Sequence, residues 1–301
     1  MDTTQAVGSE ADSDVLNFRH AGPTVVRMVV GAQLRRLREA TGITLEDAGR
    51  QIRASHSKMS RLELGRHGFK PRDVADLLTH YGMTDPAERA TLLALARQAN
   101  EPPWWHQFSD VVPPWFEAYL GLEHAASVIR SYEVQFIPGL LQTPDYARAV
   151  MLLGHDKVSS AELAQRVSLR MRRQDLLHRP QPPHLWAIID EAALRRPVGG
   201  LATMRAQVDH LIEVASMPRV TVHVVPFSIG GHAAAGGPIS ILRLPECALP
   251  DVVYLEQLDS ANYPDKPSEI QLYRNVMNNL ALASPSPAAS VEILRQIRRQ
   301  T

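Results

Sequence analysis

Cysteine is nearly missing from this 301-residue chain, and the single Cys247 excludes both an internal disulfide framework and a cysteine-rich metal site. That lone thiol reads as buried and unreactive. Net charge is missing too. The 32 basic residues balance 32 acidic ones, which excludes a uniformly basic protein but leaves local patches open. No apolar run is long enough to span a bilayer, and no basic start followed by an apolar segment opens the chain, so a cytoplasmic location is expected. A glycine-rich phosphate loop, a His-x-x-x-His spacing and a nucleophile elbow are all lacking. The expectation is therefore a protein that is not an enzyme and holds no metal or cofactor. What is present suffices for a folded core, with 45% hydrophobic and 21% charged residues, and the length suits two domains.

The charge balance is uneven along the chain. Between Arg27 and Asp76 eleven Lys or Arg face six acids, as in a basic recognition module joined to a more neutral domain. Residues 1–24 show no sustained period and read as a flexible leader. From 25 to 100 the pattern is helical and closely punctuated. Leu34 and Leu37 mark one face of a first helix whose other face carries Arg35, Arg36 and Arg38, and Gly42 stops it. Thr44 caps a second helix with Asp47 three residues on, approximating a capping box, and Leu45, Ala48 and Ile52 form its apolar stripe. Ser55 caps a third helix with Met59 and Leu62 inward, ended by Gly65. Pro71 and Asp85-Pro86 open two more.

Two short helices joined by a tight turn are the parts of a helix-turn-helix, whose second helix enters the major groove of double-stranded DNA. Ser55, His56, Ser57, Lys58 and Arg61 lie outward or at the N-terminal end of that helix and are candidates for base reading. Arg35, Arg36, Arg50, Arg53 and Arg66 are candidates for phosphate contacts, which supply affinity rather than sequence choice. On periodicity alone, a small helical bundle with a solvated basic face accounts for the segment equally well.

The segments Leu34-Arg35-Arg36-Leu37-Arg38-Glu39-Ala40, Gly42-Ile43-Thr44 with Ala48, and Ala54 through Arg66 resemble the Xre, or Cro/CI-type, helix-turn-helix family. The resemblance implies that Ser55 to Glu63 is the recognition helix. It implies structural roles for Thr44, Ala48, Met59, Leu62, Glu63 and Gly65, with Glu63 pairing to a basic residue of the first helix, here Arg36. The family commonly has glutamine where Leu45 stands, so one contact of the family pattern is replaced. It also implies a regulator that binds DNA as a homodimer.

Residues 101–115 combine four prolines with Trp104, Trp105 and Trp115 and read as a docked connector. Residues 116–301 mix both periods. Helices are expected near 115–126, 144–153, 159–178, 201–216, 267–283 and 287–299, with strands at 131–136, 185–189, 220–225, 239–244 and 252–257. Short loops favour an antiparallel meander for the last three strands. The expected whole is an all-α phage-repressor-like domain followed by a larger α+β domain with an antiparallel or mixed sheet. Glu133, Arg170, Arg173, Asp190, Glu191 and Glu256 supply enough ionisable groups for a ligand or partner site. His223 alternates with valines and is expected to face away from the core, while Gly230 to Gly237 reads as a flexible loop.

The string Ile137-Pro138-Gly139-Leu140-Leu141-Gln142-Thr143-Pro144-Asp145-Tyr146 reads as a turn followed by a capped helix, and its residues are accountable as purely structural. With Arg166, Arg170, Arg173 and Gln174, Asp190 to Arg195, Val224 to Phe227 and Tyr254 to Glu256, it also resembles the C-terminal domain of unknown function found behind Xre-type motifs in actinobacterial regulators. That resemblance implies sensing of a small-molecule effector or of a small protein encoded nearby. The competing reading is a protein-interaction module, antitoxin-like or anti-regulator, with autoregulatory DNA binding.

Overall fold

The computed structural model describes residues 22–154, 158–245 and 249–301. Residues 1–21 of the expected leader and Cys247 lie outside them. The chain divides into two compact units, Met1–His106 and Gln107–Thr301, with the division falling inside a 3-10 turn at Trp104–Phe108.

Among its described residues the first unit is helical: α1 (Pro23–Ala40), α2 (Leu45–Gln51), α3 (His56–Glu63), α4 (Pro71–His80) and α5 (Pro86–Gln98). Helix α1 begins at Pro23, inside the segment read from sequence as leader, because Pro at the first helical position leads into the apolar run Val25, Val26, Val29 and Val30. It packs against α3, α4 and α5, while α4 lies on α2 and α5. The caps follow the residue chemistry. Thr44 Oγ1 accepts from Asp47 N, Ser55 from Lys58 N, and Asp85 from Ala87 N and Glu88 N. Asn100 closes the unit by bonding both backbone groups of Phe69.

The second unit is α+β around one six-stranded mixed sheet of order β3-β2-β1-β4-β5-β6. The strands are β1 (Val128–Glu133), β2 (His184–Asp190), β3 (Val220–Val225), β4 (Ile239–Arg243), β5 (Val252–Glu256) and β6 (Ala261–Asn262). β1, β2 and β3 are parallel, and β4, β5 and β6 continue antiparallel from the other side of β1. The helices are α6 (Pro114–Ala125), α7 (Pro144–Leu153), α8 (Ser160–Gln174), α9 (Glu191–Arg195), α10 (Leu201–Val214), α11 (Pro267–Ala283) and α12 (Pro287–Gln300).

The sheet departs from the sequence expectation at two strands. β3 is not the first strand of an antiparallel meander. It lies at the far edge, parallel to β2, because α9 and α10 between them supply a crossover long enough to bring the chain back in the same direction. β1 ends at Glu133 rather than at Phe136. Its neighbour β4 begins at Ile239, opposite Tyr132, so the ladder partner on that side stops there.

Strand alternation sorts the core. Tyr132, Ile188, Ile239, Ile241 and Val253 share one face, with Ile270, Met277 and Leu280 of α11 packed in the same cluster. His223 also belongs to that face and is buried at 7% exposure, bonding Pro285 O through Nδ1, so it does not point away from the core. On the opposite face, Ser131, Glu133, Ser240, Tyr254 and Glu256 meet α6 and α8.

The dense string after β1 is held by backbone bonds. Ile137 N donates to Tyr146 Oη, and Gln142 Nε2 donates to Ile137 O. Gln174 donates to Gly139 O and Gln142 O, while the fully buried Gln207 of α10 donates to Leu141 O and accepts from Thr143 N. A buried loop must find partners for its peptide groups, and three glutamines supply them.

Candidate nucleic-acid interface

Helix α3 is amphipathic in the required sense. Met59, Leu62 and Glu63 are buried on one side, and Ser57 and Arg61, four apart, share the exposed side with His56 beside them. Lys58 is half-buried, and Ser55 at the cap is exposed. Arg35, Arg36, Arg50, Arg53 and Arg66 are all exposed. Arg35 bonds Glu39 at 2.8 Å and Arg50 bonds Asp47, both in solvent, where such pairs are weak and yield readily to a competing phosphate.

The turn between α2 and α3 is tight for identifiable reasons. Ala54 N donates to Gly49 O at 2.8 Å, and a Cβ on Gly49 would lie 2.6 Å from Ala54 O, so no larger residue fits at that position. Arg53 has φ of 55°, the one non-glycine residue in the left-handed region among the described residues. An exposed arginine thus occupies a position that glycine would hold without strain.

Behind α3 the anchoring is unusually close. A Cβ on Gly31 of α1 would lie 2.6 Å from the carbonyl oxygens of Leu62 and Glu63, and one on Gly65, at φ 66°, would lie 2.6 Å from Met28 Cα. Backbone therefore meets backbone at the C-terminal end of α3. Glu63 does pair with the first helix, but its partner is Arg38, not Arg36. Arg38 Nε and an Nη donate to the two carboxylate oxygens at 2.6 and 2.9 Å, and the other Nη donates to Ile43 O at 2.9 Å. The reason is periodic: Val26, Val30, Leu34 and Arg38 are spaced by four and form the buried ridge of α1, whereas Arg36 lies outside it. Arg38, expected from sequence to face outward with Arg35 and Arg36, is buried. The Glu63 hydrogen bond, opposed by burial and reinforced by the Glu63 charge, raises the Arg38 pKa further.

In the second unit the six ionisable candidates do not form one site. Glu133, Arg170, Arg173 and Glu256 gather on the α6/α8 side of the sheet, but Asp190 emerges on the other. There Asp190 caps α9 through Ala192 N at 2.8 Å and accepts from Tyr132 Oη at 3.4 Å, with His232 Nε2 3.1 Å from the same hydroxyl. Glu191 is bound to Arg195 Nε and Phe227 N. Within the first group Arg173 makes a buried bidentate pair with Glu123 at 2.8 Å and lies over the rings of Phe116 and Tyr119. Glu123 is not legible from sequence, because a glutamate among Leu120, Leu122 and His124 on α6 carries no signal of its distant partner. Arg170 bonds Gln142 Oε1 at 2.9 Å; burial, then the Arg173 charge, push its pKa down to about 10. Burial, then the Glu256 charge, push the Glu133 carboxyl up to about 8 against the pull of Arg170 and Arg173.

These geometries define a helix-turn-helix unit followed by an α+β unit, and comparison with known families agrees. A helix-turn-helix domain model matches residues 29–92. A second, the domain of unknown function DUF5753, matches residues 116–296, more than half of the chain, and the protein belongs to that family. No curated protein and no solved structure matches the chain. Among the described residues no helix is long and apolar enough to cross a membrane.

Proposed function

We propose that this protein is a sequence-specific, double-stranded DNA-binding transcriptional regulator of the Xre type. The observation that carries the reading is α3 itself, a helix with His56, Ser57 and Arg61 presented to solvent and its back fixed to α1 by Arg38, Glu63 and two glycine contacts. A rigidly held helix places side chains on base edges, while the surrounding exposed arginines meet phosphates. The regulator acts as a homodimer on two half-sites roughly 34 Å apart, which supplies affinity that one small module lacks. The DUF5753 unit supports dimerisation and senses a partner protein or small ligand. Its role is binding rather than catalysis, a reading supported by the use of Glu123, Glu191 and Arg173 in internal pairs.

Genomic footprinting of the tagged chain identifies the operator, and mobility shift with that DNA tests the interface. Replacing Lys58 and Arg61 together by Ala removes specific binding, and binding of the parent weakens steeply as salt rises. Undiminished operator binding by the double variant refutes the assignment of α3 as the reading helix.

A further inference from the structure

A cationic cluster lies on the α11 side of the sheet, across it from Glu133 and Glu256. Sheet register builds it. Arg130 of β1 stands beside Trp186 of β2 and Ile241 of β4, and one row away Arg243 of β4 stands beside Val128 and opposite the position just before β5, Asp251. Helix α11 adds Arg274 and Asn278 over the same face.

Among the described residues the charges do not balance. Asp251 is shared: Arg243 binds both its oxygens at 2.9 and 3.0 Å, and Arg274 Nε stands 3.5 Å away. Arg130 has no carboxylate within ion-pair distance among the described residues. One Nη donates to Asn278 Oδ1 at 2.8 Å, and the guanidinium lies 5.6 Å from the Trp186 ring centroid. Its Nε is buried and has no hydrogen-bond partner among the described residues. Two guanidinium groups thus share one carboxylate while the third, Arg130, lies within the field of all three charges, an excess of positive charge that a bound anion would offset. The ligand is not a stacked ring, because Trp186 is flanked by Arg130 on one side and by His223, 6.2 Å away and nearly parallel, on the other.

We infer that Arg130, Arg274 and Asn278, with Arg243 at the rim, form a binding site for a small anion bearing a carboxylate or phosphate group. Asp251 is its internal competitor, holding Arg243 and Arg274 while the site is empty. The inference is independent of DNA binding.

Calorimetric titration of the full chain with sodium phosphate and with sodium citrate, at ionic strength matched by chloride, tests it and separates the two sources. At least one probe binds saturably to a single site. Arg274→Gln weakens that binding about tenfold, since a guanidinium–anion contact is charge-assisted. Asp251→Asn tightens it, a change that damage to the fold does not produce. Arg298→Gln, which removes an exposed pair with Asp209 elsewhere, leaves it unchanged. Absence of saturable binding by both probes overturns the inference, as does equal affinity in the parent and Arg274→Gln, or weaker binding in Asp251→Asn.

Discussion

Replacing Arg38 by Met is expected to destabilise the helix-turn-helix unit severely, whereas replacing Arg36 by Ala leaves it nearly unchanged. The Arg38 and Glu63 side chains are only 10% and 4% exposed, so water cannot replace a lost partner. Breaking such a pair from one side costs about 3–5 kcal/mol, because a buried carboxylate is left uncompensated. The Ile43 carbonyl loses its donor as well, adding about 1 kcal/mol. Arg36 is exposed, and surface changes of that kind stay within about 0.5 kcal/mol. The double variant Arg38→Met/Glu63→Leu recovers most of the loss, since removing both charges also removes the desolvation cost. Native-state hydrogen exchange on the full chain reads the effect where it arises, through the protection of α1 and α3 amides, and keeps the second unit as an internal reference. A loss in Arg36→Ala matching that in Arg38→Met refutes the reasoning, as does a double variant less stable than either single one.

Three further outcomes follow from individual residues. Arg53→Gly relieves a left-handed arginine worth about 1–2 kcal/mol, offset in part by the greater freedom of glycine in the unfolded chain, for a net gain of about 0.5 kcal/mol. If Arg53 contacts phosphate, the same variant lowers the salt slope of operator binding by about one. Gly65→Ala combines a positive φ with a backbone clash against Met28, and urea unfolding should show a loss of about 3 kcal/mol. Glu133 is held protonated in the fold up to about pH 8 but ionises near its ordinary range when unfolded. Its contribution therefore weakens the fold as pH rises between those points. Glu133→Gln should match the parent near pH 5 and exceed it in stability at pH 8, as read by urea unfolding; equal stability at both values contradicts the shifted carboxyl.

The chain's local rules were legible without a structure. Thr44, Ser55, Asp85 and Thr143 cap the helices they precede, and the apolar period located α7 and α11 over the residues observed. Those features depend on neighbours within one helical turn, so sequence alone determined them, along with the local basic charge around α3. Tertiary structure decided what depends on distant partners. It chose Arg38 over Arg36 because four-residue spacing from Leu34 carries Arg38 into the seam against α3. It carried β3 to the edge, since a strand's neighbour is set by its crossover rather than by the loop that follows. It also sent Asp190 and Glu133 to opposite faces of one sheet, because side-chain direction alternates along each strand and only strand pairing fixes which residues then share a face.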